Sequence, residues 1–86
     1  MPQIDIYTQD FCPYCARALR FFAEKGLAVN EIYAPRGSAA REEAVRRSGG
    51  RGTVPQIFID GRHIGGCDDL LALDRKGELE PLLHTA

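Results

Sequence analysis

The chain has 86 residues, 44% of them hydrophobic, which suits one domain with a modest core and excludes a disordered composition. Its 11 basic residues against 12 acidic ones leave a net charge of −1, excluding a general binder of nucleic acid or of anionic membrane surfaces. Three cysteines are an odd count and too few for a disulfide-stapled secreted scaffold.

The first residues, MPQIDIY, lack a basic start followed by an apolar run. No stretch approaches the roughly 20 apolar residues of a membrane helix. A cytoplasmic protein is therefore expected, with neither membrane nor nucleic acid among its partners. In QIDIY, Ile4 and Ile6 alternate with polar neighbours, which predicts a strand. From Pro13 the period changes. Cys15, Leu19, Phe22 and Gly26 fall on one stripe, and Arg17, Arg20 and Glu24 on the other, predicting an amphipathic helix over 13–25 ended by Gly26. AVNEIY (28–33) reads as a second strand. Residues 38–48 read as a helix with a weak apolar face and Ser38 as N-cap. VPQIFID (54–60) is the most strand-like run, and GRHIGG returns as its partner across a turn at Asp60-Gly61. DDLLALDRK (68–76) places acids in its first turn and bases in its last, as the helix dipole favours. Leu79, Leu82 and Leu83 suggest a short closing helix.

The resulting order is β-α-β-α-β-β-α in one domain over 1–86, an α/β fold with a four-stranded mixed sheet. Its first two strands are parallel and its last two form a hairpin. Charge is uneven along it. Residues 36–51 carry five arginines against Glu42 and Glu43, and residues 68–80 carry five acids against Arg75 and Lys76. These are either ordinary solvated faces or the two sides of a site for a small anionic or zwitterionic ligand.

The chemistry points to FCPYCARALRFF (11–22). With Cys12 as N-cap, Pro13 falls at the first helical position, where its missing N–H costs nothing. Cys15 then lies one turn on, with the Cβ atoms roughly 5–6 Å apart, so a disulfide can close and reopen with little movement. So short a loop gains little from a structural bond. The free N–H groups of the helix start favour a thiolate at Cys12, whereas Cys15 follows the apolar stripe and stays protonated. Cys12 is the expected nucleophile and Cys15 the resolving thiol. A Cys-x-x-Cys pair where a strand meets a helix is a redox signal. Zinc would want four ligands, and beyond the pair only Cys67, His63 and His84 are available, His63 expected on the exposed side of a short strand and His84 in a loose tail. No metal is expected.

CPYC at 12–15, TVPQIFI at 53–59 and GGCDDL at 65–70 occur together and in that order. With them the chain resembles a glutaredoxin, of the small bacterial dithiol kind, from about Ile4 to Leu83. The resemblance implies a thioredoxin-like fold and a glutathione-dependent thiol–disulfide oxidoreductase. Glutathione would be an electron-donating co-substrate, with no bound cofactor, and the partners would be glutathionylated or disulfide-containing proteins served by a monomer. It implies that Cys12 takes the glutathionyl sulfur and Cys15 closes the intramolecular disulfide. Tyr14 would flank glutathione. A cis bond before Pro55 would turn the Val54 backbone outward to pair with it, with Thr53 and Pro55 along that edge. The N–H groups around Cys67 and Asp68 would hold its γ-glutamyl carboxylate, and Asp68 its ammonium. Without the family, Asp68 reads equally as a plain N-cap and Cys67 as a small buried residue.

Two departures from the family pattern stand out. Gln9 occupies the place of a basic residue that members commonly use for the glycine-end carboxylate, leaving Arg46, Arg47 or Arg51 to compensate. SGGRG (48–52) is one residue longer than expected. Two other readings remain at this point. One is an iron–sulfur or zinc carrier bridging two chains through Cys12 and glutathione, against which Pro13 counts. The other is a redoxin reduced by thioredoxin reductase, which would usually lack a GGCDDL segment.

Overall fold

The computed structural model describes residues 2–84. β1 (Ile4–Thr8), α1 (Pro13–Glu24), β2 (Asn30–Tyr33), α2 (Ala39–Arg47), β3 (Gln56–Ile59), β4 (Arg62–Gly65) and α3 (Cys67–Arg75) follow in the expected order, with a one-turn α4 (Glu80–Leu83) after them. The strands form one sheet in the order β2-β1-β3-β4. β1 and β2 are parallel, joined by the α1 crossover, and the other pairings are antiparallel.

Period-2 alternation divides the core between the two faces of the sheet. Ile4 and Ile6 of β1 and Ile57 and Ile59 of β3 point to one side, where Ala18 and Phe22 of α1, Leu70 of α3, Leu79 and Leu83 pack on them. Register pairs Ile6 with Ile57 and Ile4 with Ile59, so the four isoleucines form one continuous apolar patch. Tyr7 and Phe58 point to the other side, with Ala34 and Ala44.

The weak apolar face of α2 is explained on that second side. Arg47 lays its guanidinium 4.0 Å from the Phe58 ring centroid, donates to the Tyr7 hydroxyl at 2.8 Å and reaches Asp5 at 3.4 Å. The Tyr7 hydroxyl in turn donates to Glu43. α2 is thus held by a stacked cation and its hydrogen bonds as much as by aliphatic burial.

Several boundaries differ from the sequence reading. β3 begins at Gln56 rather than Val54, because Pro55 has no N–H for a ladder. β2 begins at Asn30 rather than Ala28, and α3 at Cys67 rather than Asp68. The hairpin turn is where expected: Asp60 and Gly61 have φ of 50° and 81°, the pair of positive values that a tight two-residue turn requires.

Candidate active site

Cys12 is the N-cap of α1. Its backbone is extended, with φ −114° and ψ 99°, and Pro13 occupies the first helical position. The Cys12 sulfur accepts the Cys15 N–H at 3.2 Å, so one of the orphan donors of the helix start is spent on sulfur. Cys12 is half-buried and Cys15 is buried. Burial pushes the Cys15 thiol up to about 12, reinforced by its hydrogen bond to Cys12, against a smaller opposing pull from the Gln9 backbone. The charges of Cys12 and Glu31 add to the rise.

The Cys12 thiol faces the carbonyl of Val54 at 3.8 Å, and the Val54–Pro55 peptide is cis. Beside it lies a groove of about 310 Å³ walled by Tyr14, Thr53, Val54, Pro55, Cys67 and Asp68, with Arg51 and Asp69 at its edge. The six residues that the family resemblance associates with a bound ligand therefore share one cavity. Buried Gln56 supports it from below: its amide nitrogen donates to the Thr53 carbonyl at 3.0 Å and to the Thr53 hydroxyl at 3.3 Å. Its amide oxygen meets His63 Nε2 at 2.8 Å. His63 is half-buried against Phe58, not on the exposed side of β4 as expected. Burial, helped by Arg51, holds its pKa below the usual histidine range.

At the α3 end, the N-cap is Gly66, and Asp69 accepts its N–H at 2.9 Å. Asp68 is therefore not the cap. It is exposed and makes no hydrogen bond or ion pair among the described residues, so it is available to a ligand. Asp69 also pairs with Arg51 at 3.0 Å. The Gly66 N–H, and then Arg51, hold its carboxyl below the usual range. Gly65 has φ 119°, and a Cβ there would run into the Asp69 carboxylate, so a side chain is disfavoured beneath this cap. Cys67 is part of the core, and burial raises its pKa.

Of the three arginines expected to compensate for Gln9, Arg51 lines the ligand groove; the arginine that reaches Gln9 itself is Arg41, which the sequence reading did not single out. Arg47 is engaged on the sheet, Arg46 is exposed, and Arg51 pairs with Asp69. Arg41 donates to Gln9 Oε1 at 2.8 Å, to the Ala34 carbonyl at 2.9 Å and to the Gly52 carbonyl at 2.9 Å. It is 7% exposed and makes no ion pair with a carboxylate among the described residues. The signal was present in the sequence: Arg41, Ala44 and Ser48 fall at i, i+3 and i+7, and all three are buried. Phe11 was also missed. It precedes Cys12 with φ 56° and is fully exposed.

Among the described residues, no three of His, Cys, Asp and Glu converge as a metal site, and no helix is long and apolar enough to cross a membrane.

Residues 4–64 match the glutaredoxin family model. The chain is 54% identical over 83 residues to glutaredoxin 3 of Escherichia coli, covering 96% of this chain and 99% of that protein. It is 52% identical to a glutaredoxin from Brucella melitensis whose solution structure superposes with a TM-score of 0.79, over 94% of this chain and 87% of that one. A buckwheat glutaredoxin–glutathione complex superposes with a TM-score of 0.83 at 32% identity, over 95% of this chain and 76% of that one. The likeness extends through β1, both cysteines, the Thr53–Pro55 loop and α3, not through one motif alone. The chain therefore belongs to the glutaredoxin family, with a thioredoxin-like fold and the cysteine pair of a thiol–disulfide oxidoreductase.

Proposed function

We propose that the protein is a glutathione-dependent oxidoreductase that reduces protein–glutathione mixed disulfides and protein disulfides, as a monomer in the cytoplasm. The observation that carries this reading is the single groove formed by Tyr14, Thr53, Val54, Pro55, Cys67 and Asp68 beside the Cys12 sulfur. It offers the backbone N–H and C=O of Val54, helix-start N–H groups at Cys67 and Asp68 for a carboxylate, and the Asp68 carboxylate for an ammonium. That donor and acceptor set suits a small zwitterionic thiol peptide. The solved glutathione complex of the buckwheat relative supports the same ligand here.

In the first step the Cys12 thiolate attacks the glutathionyl sulfur of a mixed disulfide. A Cys12–glutathione disulfide forms, and the target sulfur leaves as a thiolate and takes up a proton. A second glutathione thiolate then attacks the glutathionyl sulfur, releasing glutathione disulfide and the Cys12 thiolate. On a protein disulfide, Cys12 bonds one target sulfur and the other leaves. Cys15 then loses its proton and attacks the Cys12 sulfur, the target departs as a dithiol, and the chain is left as the Cys12–Cys15 disulfide. Two glutathione molecules reduce it again. Cys15 is suited to waiting: burial chiefly holds its pKa up, its hydrogen bond to Cys12 and the Cys12 charge add to the rise, and these last two are lost once Cys12 is in a mixed disulfide. The resolving thiol becomes easier to ionise at the moment it is needed.

The test is turnover of the mixed disulfide of glutathione and 2-mercaptoethanol, coupled either to glutathione reductase or to thioredoxin reductase. Turnover with glutathione and glutathione reductase is expected. Turnover only with thioredoxin reductase would overturn the reading.

A further inference from the structure

We propose that the flank of Cys12 headed by Phe11 docks the polypeptide partner: an extended cysteine-bearing segment with an apolar and a basic residue beside its disulfide. The proposal rests on Cys12 as nucleophile and names the partner that meets it there. The strand order places two grooves on opposite sides of Cys12. One, towards β3 and α3, is the groove of about 310 Å³ already described. The other, towards β1 and β2, is larger, about 590 Å³, and both Cys12 and Cys15 line it. A chain seated there would have its sulfur on Cys12 and the resolving thiol on the same side.

Phe11 contributes nothing to the core. Its side chain is fully exposed, and its φ of 56° lies in a region that bulky L-residues rarely occupy. A large apolar group held out to solvent beside the nucleophile is an unfavourable arrangement for folding alone, and such outliers concentrate where function requires them. A chain that brings its sulfur to Cys12 from this flank lays its neighbouring residues across this ring. Pro13, Ala16 and Leu19 extend the apolar floor.

The charge on this flank is one-sided. Asp10 and Glu31 line the groove, and among the described residues no lysine or arginine does. Arg41 sits buried behind Gln9, to which it donates. Both carboxylates are held in place, Asp10 by the Tyr33 hydroxyl at 2.7 Å and Glu31 by the Thr8 hydroxyl at 2.8 Å. Each uses one oxygen in that bond and keeps the other for a cation. The opposite groove mixes Arg51 with Asp68 and Asp69, as a zwitterion requires. The two sides of Cys12 are thus built for different chemistries, and electrostatic complementarity selects a basic segment for the Phe11 side.

The probe is a synthetic hexapeptide whose single cysteine is activated as a mixed disulfide with thionitrobenzoate. Release of the coloured thiolate by the reduced protein is followed in a single turnover without glutathione. At low salt a Lys-Leu-flanked peptide should react about fivefold faster than a Glu-Leu-flanked one, and the gap should close at high salt. Phe11→Asn, which tolerates a positive φ, should slow the Lys-Leu peptide about fivefold, with Phe11→Leu restoring most of the rate. The mixed disulfide of 2-mercaptoethanol with thionitrobenzoate should change less than about twofold. Asp10→Asn combined with Glu31→Gln should erase the Lys-over-Glu preference. Equal losses on peptide and small disulfide, or no charge preference in the unaltered protein, would overturn the proposal. Because the assay contains no glutathione, failure of glutathione dependence would leave its outcome intact and readable.

Discussion

The backbone N–H of Cys15 points at the sulfur of Cys12 from 3.2 Å, so the resolving residue supports its partner through its amide while its own thiol stays buried. Iodoacetamide should therefore label one cysteine, Cys12, at neutral pH, and mass spectrometry of the digested protein checks this. Faster labelling of Cys15 or Cys67 would reverse the assigned roles.

The raised Cys15 thiol has a consequence for stability. In the unfolded chain a cysteine loses its proton near pH 8.5, an approximate reference value, whereas in the folded chain Cys15 holds it up to about 12. Between those values the unfolded state binds fewer protons, so its stabilising contribution is complete below the lower value and is lost as pH rises through the window. The melting temperature should fall with pH above about 9. Cys15→Ser should flatten that slope in part, the remainder including Cys67, whose thiol is also raised by burial. Calorimetry across the alkaline range gives the comparison.

Cys15→Ser should retain activity on glutathionylated substrates and lose reduction of protein disulfides, since only the second route needs an internal attack on Cys12. Cys12→Ser should reduce both by at least about a hundredfold. Parallel assays on a glutathionylated peptide and on a protein disulfide separate the two routes.

Arg41 is a buried cation whose partners are carbonyl and amide oxygens. Arg41→Met should destabilise the fold by about 2–4 kcal/mol, because the Ala34 and Gly52 carbonyls lose their donor. Arg41→Lys keeps the charge without the planar fork and should fall between the two. Urea denaturation with a common m-value is the measurement.

Gly65→Ala should act on the groove through Asp69. The new methyl would occupy the place of the carboxylate that caps Gly66 and pairs with Arg51. A stability loss of about 1–3 kcal/mol is expected, together with a KM for glutathione several times higher and a smaller change in kcat. A KM that does not move would show that this cap and the ligand groove are independent.

Elements governed by local rules were legible in the sequence. Ile4 and Ile6 against Asp5 and Tyr7 mark both the strand and the two faces it separates, Pro13 fixes where α1 starts, and Asp60-Gly61 fixes the hairpin. Side chains whose partners lie far along the chain were not. Arg47 stacks on Phe58 and bonds Tyr7, and Arg41 joins Gln9 to Gly52; the spacing of Arg41, Ala44 and Ser48 marks a buried helix face, but no local pattern names these distant partners. Whether Asp68 caps α3 turned on where the helix starts: with its start at Cys67 the cap is Gly66, and Asp69 accepts its N–H, a shift finer than propensity resolves. The Val54–Pro55 cis bond was expected from the family likeness alone, since nothing local in the sequence required it.

Arg41 also couples movements. Gln9 precedes the nucleophile, Ala34 follows β2 and Gly52 precedes the Thr53–Pro55 edge, and one guanidinium holds all three. Loops that would otherwise fluctuate separately share a common latch, so the rim around the reactive sulfur should open as a unit in amide exchange, with breathing at one side felt at the other.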